Sequence, residues 1–387
     1  MTQLQFNVNF DEIKEMLVKS DLNDVLKSTL VLILNEFMEK ERDNYLKVNA
    51  YERSEERRDY RNGYYERELL MNIGSISLRV PRTRNGGFAT SVFEKYQRSD
   101  QSFLLSLVEM VVNGVSTRKV TKVVEQLCGE NVSKSFVSEL TEKLDPVVKQ
   151  WADRPLNTMY FPYIFVDAMY IKVREHNKVV PKAVYIATAI NENNKRTVLG
   201  FKVDHVESYE AWRDFLSDLK GRGLQSPKLV ISDAHEGLKK AIQREFIGTQ
   251  WQRCTVHFKR NIIDKLPKKG IEKVKADLML IYEATSPEEA RRLKERFIDK
   301  HGDNPKLEKA IATLEDGFED SIQYMNEALN RQVFIRSTNS LERLNQEIRR
   351  RERVIRIFPN NQSAFRLIGS ILMDYNEEQE KKRRLYL

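Results

Sequence analysis

The chain has 387 residues, enough for two or three domains, and 41% of them are hydrophobic, enough to build real cores. Cys128 and Cys254 are its two cysteines, which excludes a disulfide framework and fits a reducing cytoplasm. The start, MTQLQFNVNFDEI, lacks the basic-then-apolar order of a secretory signal, and runs such as STLVLILNEF are too short to span a bilayer. The formal net charge of +8 and a pI near 9.1 fit a solvated surface as well as a polyanionic partner, and the clustering of arginine at 336–357 favours the partner.

Residues 10–47 read as helix, with apolar positions Val25, Leu26, Leu30, Leu32, Ile33, Leu34 and Phe37 forming one wide face. Such a face suits packing against another helix, including one from a second copy of the chain. A charged linker follows, and then a predicted β-hairpin. Its arms are 64–71 and the alternating Ile76, Leu78, Val80 stretch, its turn is Asn72-Ile73-Gly74-Ser75, and Pro81 is expected to end it. Arg79, Arg82 and Arg84, followed by Gly86-Gly87, make a basic flexible segment suited to phosphates or a minor groove. An exposed surface loop would read the same way.

Residues 114–144 have the pattern of a helix-turn-helix. Ser116 can cap a helix with Val120, Val123, Val124 and Leu127 inside, residues 128–131 break it, and Ser133 can cap a second helix with Phe136, Val137, Leu140 and Leu144 inside. Lys134, Ser135 and Ser138 then lie exposed early on the second helix, where recognition helices touch base edges, and Arg118, Lys119 and Lys122 make the first helix basic. Many helical hairpins share this pattern and bind nothing.

From 160 to 254 the order is strand, strand, strand, helix, strand, helix, strand. The strands are 163–173, 179–190, 197–206, 228–233 and about 250–254; the helices are 208–222 and 236–246. Three consecutive strands followed by alternation predict a mixed sheet, antiparallel at first and then parallel. Ribonuclease H-like folds have this order, with the first and fourth strands adjacent. That would bring Asp167, in the middle of YIFVDAMYIKV, beside Asp233, at the end of PKLVISD. A carboxylate inside an apolar run is costly without a partner or metal, so the pair suggests a cation site. Asp233 alone reads equally well as a helix N-cap. Residues 258–335 read as helices only, after which Ser337-Thr338-Asn339 caps an Arg-rich helix. The stretch 336–357 carries seven arginines against three glutamates, Glu342, Glu347 and Glu352. One of these as a third acid would suit two Mg²⁺ ions, which prefer hard oxygen ligands. Each also reads as a surface partner for arginine one turn away.

Several segments together carry a resemblance: RNGYYER (61–67), VPRTRNGGF (80–88), GVSTRKV (114–120), FVDAMYIKVRE (165–175), VISDAHEGL (230–238), WQRCTVHFKRN (251–261) and STNSLERLNQEIRRR (337–351). The chain resembles Mutator-type transposases of bacterial insertion sequences, in the DDE superfamily. The resemblance implies a multidomain α+β protein whose ribonuclease H-like core is interrupted by an all-helical insertion. The expected layout is an N-terminal helical, dimerising region (1–60), a β-hairpin and basic segment (61–98), a helix-turn-helix domain (99–150), the first part of the core (151–257), the insertion (258–335) and the last part of the core (336–387). Carried onto this sequence, the acids are Asp167, Asp233 and Glu342, holding Mg²⁺, with Mn²⁺ as a substitute. The implied partners are double-stranded DNA, as inverted-repeat ends and target, and a second copy of the chain; the implied place is the bacterial cytoplasm, at the nucleoid. The implied chemistry is nicking at an element end and strand transfer through a circular intermediate.

Arg343, Arg349, Arg350 and Arg353 are expected to contact phosphate near the acids. The resemblance also marks Cys254-x-x-His257. A tetrahedral zinc site takes about four ligands, and no second pair is visible, so no zinc is expected. His257 is expected to support catalysis by bonding an acid or a phosphate, and Cys254 to pack as a small buried residue. Hairpin-forming relatives in the superfamily often stack a flipped base on an insertion tryptophan. Here Trp151, Trp212 and Trp251 all lie outside 258–335, leaving Tyr282, Phe297 or Tyr324 to stack. A structure-specific nuclease and an inactive domesticated DNA-binding protein are the other readings.

Overall fold

The computed structural model describes residues 22–48, 57–71, 73–93, 101–128 and 132–385. The chain divides into two compact units between Thr141 and Glu142. Expectations for residues 10–21, Asn72, residues 129–131 and the side chains of Leu127 and Cys128 lie outside the described residues.

In the first unit, helix α1 (Leu22–Leu46) precedes a hairpin of β1 (Arg61–Met71) and β2 (Gly74–Thr83). Part of the wide face of α1 is taken up within the unit itself. Val31, Leu34 and Met38 pack on the hairpin residues Leu69, Ile76, Leu78 and Val80. Leu30, Ile33 and Phe37, on the neighbouring stripe, stay half-buried. Pro81 does not end the second arm. It pairs with Tyr64 beside an irregularity between Arg61 and Tyr64, and β2 continues to Thr83. Proline is tolerated at such a place because a bulge has no ladder hydrogen bond to lose. Helices α2 (Gln101–Val112), α3 (Thr117–Cys128) and α4 (Lys134–Glu142) share a small core of Phe103, Leu107, Val120, Val124, Val137 and Leu140. Ser116 Oγ accepts from Lys119 N and Ser133 Oγ from Phe136 N, so both expected caps form.

The second unit is built on a five-stranded sheet: β3 (Tyr163–Glu175), β4 (Lys178–Ile190), β5 (Arg196–Asp204), β6 (Leu229–Ser232) and β7 (Gln250–Arg253), in the order β5-β4-β3-β6-β7. β3 and β4, and β4 and β5, are antiparallel; β6 runs parallel to β3 and β7 parallel to β6. The expected adjacency of the first and fourth strands is therefore present. The pleat sorts β3 between two cores, since alternate side chains point to opposite faces. Ile164 and Val166 join α6 (Tyr209–Gly221) and α7 (Glu236–Glu245) on one face. Tyr163, Phe165, Met169, Ile171 and Val173 join the larger core on the other.

That second face is covered by late-arriving chain. After β7 come α8 (Thr255–Ile263), α9 (Glu272–Ile281), α10 (Pro287–His301), α11 (Glu308–Ser321), a 3-10 turn (Gln323–Asn326) and α12 (Leu329–Ile335), with no strand among them, as expected. Tyr282, Phe297 and Tyr324 are all buried in the core, so none of them offers a face for stacking a base. The Arg-rich helix α13 (Asn339–Ile355) and α14 (Asn361–Lys381) complete the face. The short helix α5 (Asp145–Ala152) belongs to this unit. Its Asp145 accepts from Arg366 of α14 at 2.5 and 3.0 Å, and its Val148 is buried in the larger core.

Helix α13 is pinned at both ends. At its start, Thr338 N and Oγ1 lie 3.4 and 3.3 Å from Cys254 Sγ, and Thr255 N and Oγ1 donate to Arg336 O at 3.0 and 2.9 Å. At its far end, Phe358 exchanges backbone hydrogen bonds with the rim of β3: Phe358 N donates to Lys172 O and Arg174 N to Phe358 O, both at 2.8 Å. The buried stripe Leu341, Leu344, Asn345, Ile348 and Arg351 then lies on the sheet.

Candidate active site

Register brings the two aspartates together. Phe165 pairs with Ile231 across the β3–β6 ladder, and Asp167 and Asp233 each lie two residues beyond that pair. Asp233 sits just past the end of β6 and does not cap the next helix. The cap of α7 is His235, whose Nδ1 accepts from Leu238 N at 3.1 Å. Asp167 falls on the face covered by α13. Its Oδ1 accepts from Ala168 N at 2.9 Å and its Oδ2 from Asn345 Nδ2 at 2.7 Å. Burial, and then the negative charge of Asp233, push the Asp167 carboxyl up to about 7.

Glu342 lies in the first turn of α13. His257, in the first turn of α8, joins it to Asp233: Nδ1 is 2.6 Å from Asp233 Oδ1, and Nε2 is 3.6 Å from Glu342 Oε1. The Asp233 contact is close but not aligned as a hydrogen bond, so charge holds it, and both atoms are buried with no other partner. Asp233 first, and then Cys254, raise His257 to about 10, so the ring is an imidazolium near neutral pH. Thr338 Oγ1 lies 3.4 Å from Glu342 Oε1. Thr338 occupies the N-cap position, but its hydroxyl faces Cys254 and Glu342 instead of closing the cap.

Cys254 is fully buried, as its small apolar character suggested. It is also an acceptor. Burial works against its ionisation, yet contacts with His257 and then Thr338 hold the thiol below its usual range. The Cys254–His257 pair gains one further donor from the fold: one ligand atom each from Asp233, Cys254 and His257 lie within 4.8 Å of one another.

Among the other glutamates of α13, Glu347 is bound at the surface by Arg350 at 2.8 and 3.0 Å and approached by Arg351 at 3.4 Å. Arg343, Arg349, Arg350 and Arg353 are exposed, Arg350 being the one that Glu347 holds. In the first unit, Arg118, Lys119 and Lys122 of α3 and Lys134, Ser135 and Ser138 of α4 are exposed. Arg79, Arg82 and Arg84 are exposed too, and each lies over a tyrosine: Tyr64 and Tyr65 at 4.7 Å and Tyr60 at 5.8 Å. No expectation from the sequence covers those tyrosines, although DYRNGYYER (59–67) shows basic and aromatic residues interleaved. Asn345 was missed as well. Its one signal is a polar residue on the apolar stripe of a helix.

The chain belongs to a known class of DNA-mobilising proteins. A family model described as "Transposase, Mutator family" matches residues 1–382, and the chain belongs to that family. It is 47% identical, over all of its length and 99% of the relative's, to the transposase for insertion sequence element IS256 in transposon Tn4001 of Staphylococcus aureus. It is 38% identical to the transposase for ISRM5 of Rhizobium meliloti, over 97% of this chain and 94% of the relative's. It is 33% identical to the transposase for IS1081 of Mycobacterium tuberculosis, over 93% and 87% respectively. No helix among the described residues is long and apolar enough to cross a membrane.

Proposed function

We propose that the chain is a DDE transposase with a ribonuclease H-like core that cuts and rejoins DNA at the ends of its own insertion sequence. The observation that carries the reading is the meeting of Asp167, Asp233 and Glu342 through His257 and Asn345, from elements far apart in sequence. The donor set fits divalent ions. It offers three carboxylates, two of them close enough that one raises the other, and a buried Asp233 oxygen without an aligned donor. Bound among these oxygens, a pair of Mg²⁺ ions, with Mn²⁺ as a substitute, would activate the attacking oxygen and stabilise the leaving one.

The chemistry has two steps. Water attacks a phosphodiester at an inverted-repeat end; the bond from phosphorus to the 3′ oxygen breaks, leaving a 5′-phosphate, and the proton lost by the attacking water, exchanged through solvent, completes the freed 3′-hydroxyl. The freed 3′-hydroxyl then attacks a second phosphodiester, forming a new P–O bond and releasing another 3′-hydroxyl. The family resemblance favours the opposite end of the element as the target of that attack, which gives a circular intermediate. The imidazolium of His257 steadies Asp233 and Glu342 by charge while the site is unliganded. The exposed arginines 343, 349 and 353 hold backbone phosphate near the acids. The α3–α4 pair and the hairpin arginines bind the ends. Two ends must meet, so the working form is a homodimer or larger, with Leu30, Ile33 and Phe37 as the contact.

The test is a cleavage assay with an end-bearing oligonucleotide and a target plasmid. Mg²⁺-dependent nicking followed by joined products is expected. Nicking without joining, even from a supplied 3′-hydroxyl, would make the protein a structure-specific nuclease; neither, with end binding retained, would make it a DNA-binding protein that has lost its activity.

A further inference from the structure

Asn345 is 8% exposed, on the stripe of α13 that also carries Leu341, Leu344 and Ile348. Its two amide atoms have unlike surroundings. Nδ2 donates to Asp167 Oδ2 at 2.7 Å, whereas Oδ1 is buried and has no partner. A buried acceptor left unpaired is destabilising, so an amide serving only to fill this stripe would be a poor choice beside leucine. The nitrogen side does something that packing cannot. Asp167 Oδ1 is already fixed by Ala168 N, so the Asn345 hydrogen bond removes the remaining rotation of that carboxylate. Asn345 also lies one turn beyond Glu342 on the same helix, so it couples the placement of the first acid to that of the third.

We infer that Asn345 is a positioning residue of the divalent-ion site: its amide nitrogen sets the orientation of the Asp167 carboxylate. The inference rests on the three-acid reading above. Groups that orient metal ligands in this way typically carry 10–100-fold of metal affinity.

The test titrates Mn²⁺ into the full-length protein without DNA, following free Mn²⁺ by electron paramagnetic resonance, with thermal melting measured in parallel. Three proteins are compared: wild type, Asn345→Leu and Asp167→Asn. Leucine keeps the branched outline and heavy-atom count of asparagine and suits an apolar stripe, so Asn345→Leu should stay folded and melt close to the wild-type temperature. It should nevertheless bind Mn²⁺ about 10–100-fold more weakly. Wild-type Mn²⁺ affinity in Asn345→Leu, with weakened binding in Asp167→Asn, would overturn the role of Asn345 and leave the acids standing. Wild-type affinity in Asp167→Asn would overturn both. Should the leucine variant fail to fold, Asn345→Ser, which keeps a short donor and acceptor, must bind Mn²⁺ more tightly than Asn345→Ala at equal melting temperature. Equal affinities of those two would overturn the inference.

Discussion

The two faces of the five-stranded sheet use alternate residues of the same strands and serve different ends. On one face, Ile164, Val166, Tyr185 and Val230 meet Trp212, Phe215, Leu216, Leu238 and Ile242, from helices that lie among the strands in sequence. On the other, Phe165, Asp167 and Met169 meet α13 and α14, which follow all five strands and the helical insertion. The first face is an apolar core formed from short-range connections. The second holds a half-buried carboxylate, Asp167, to which a helix arriving from far along the chain donates an amide hydrogen bond. A side chain lost from the first face should cost stability; one lost from the acid cluster should cost chemistry.

The sharpest way to break that contrast is to exchange the two penalties. Asp167→Asn, Asp233→Asn and Glu342→Gln should each reduce cleavage to background while end binding stays close to wild type, as read by gel shift beside a cleavage assay. Phe215→Ala should instead destabilise the fold by about 3–5 kcal/mol in denaturant unfolding, with the folded fraction still cutting DNA. Normal cleavage by Glu342→Gln together with loss in Glu347→Gln would move the third acid along α13.

His257 and Cys254 sharpen the comparison at the boundary of the acid cluster. His257→Ala should cut cleavage strongly with modest loss of thermal stability, because its ring spans two acids. Cys254→Ala should be milder in activity but should loosen α13, whose Thr338 it accepts. Elemental analysis of the purified protein is expected to find no stoichiometric zinc. Zinc lost on mutating either residue would assign Asp233, Cys254 and His257 to a metal centre of their own.

Smaller effects are expected where neither face is involved. Lys134→Ala and Ser138→Ala should reduce discrimination between cognate and random DNA more than total affinity, which should fall steeply with salt as phosphate contacts release counterions. Equal losses on both DNAs would remove α4 as the reader.

The smallest expected effect belongs to the Asp145–Arg366 pair, which ties α5 to α14. The hydrogen bond from Arg366 holds the Asp145 carboxyl below its usual range. A lowered folded-state value contributes stability that is present above the unfolded value and lost as pH falls through the folded one. Arg366→Met should therefore flatten the acid limb of the melting curve below about pH 4, by no more than about 1 kcal/mol, since the pair is partly solvated. An unchanged acid limb would show that the pair contributes nothing there.

Much of this was legible in the residues. The alternation and lengths of the runs between 160 and 254 determined five strands and two helices, and the strand order placed Asp167 and Asp233 side by side. Serine caps and apolar spacing determined α3 and α4. These are properties of neighbouring residues, and periodicity reports them directly. What only the tertiary structure decided is which side chains meet across long stretches of chain. No local pattern says that His257 touches both Asp233 and Glu342, that Thr338 leaves its cap for Cys254, or that Asn345 reaches Asp167. Nor does one say that α5 joins the sheet-bearing unit through Arg366, or that the aromatics of the insertion are core and not stacking surface. The physical reason is the same in each case. Secondary structure follows from hydrogen bonding and burial within a few residues, whereas a site is made where pinned helix ends and strand register force distant groups into contact, and that geometry exists only once the chain has folded.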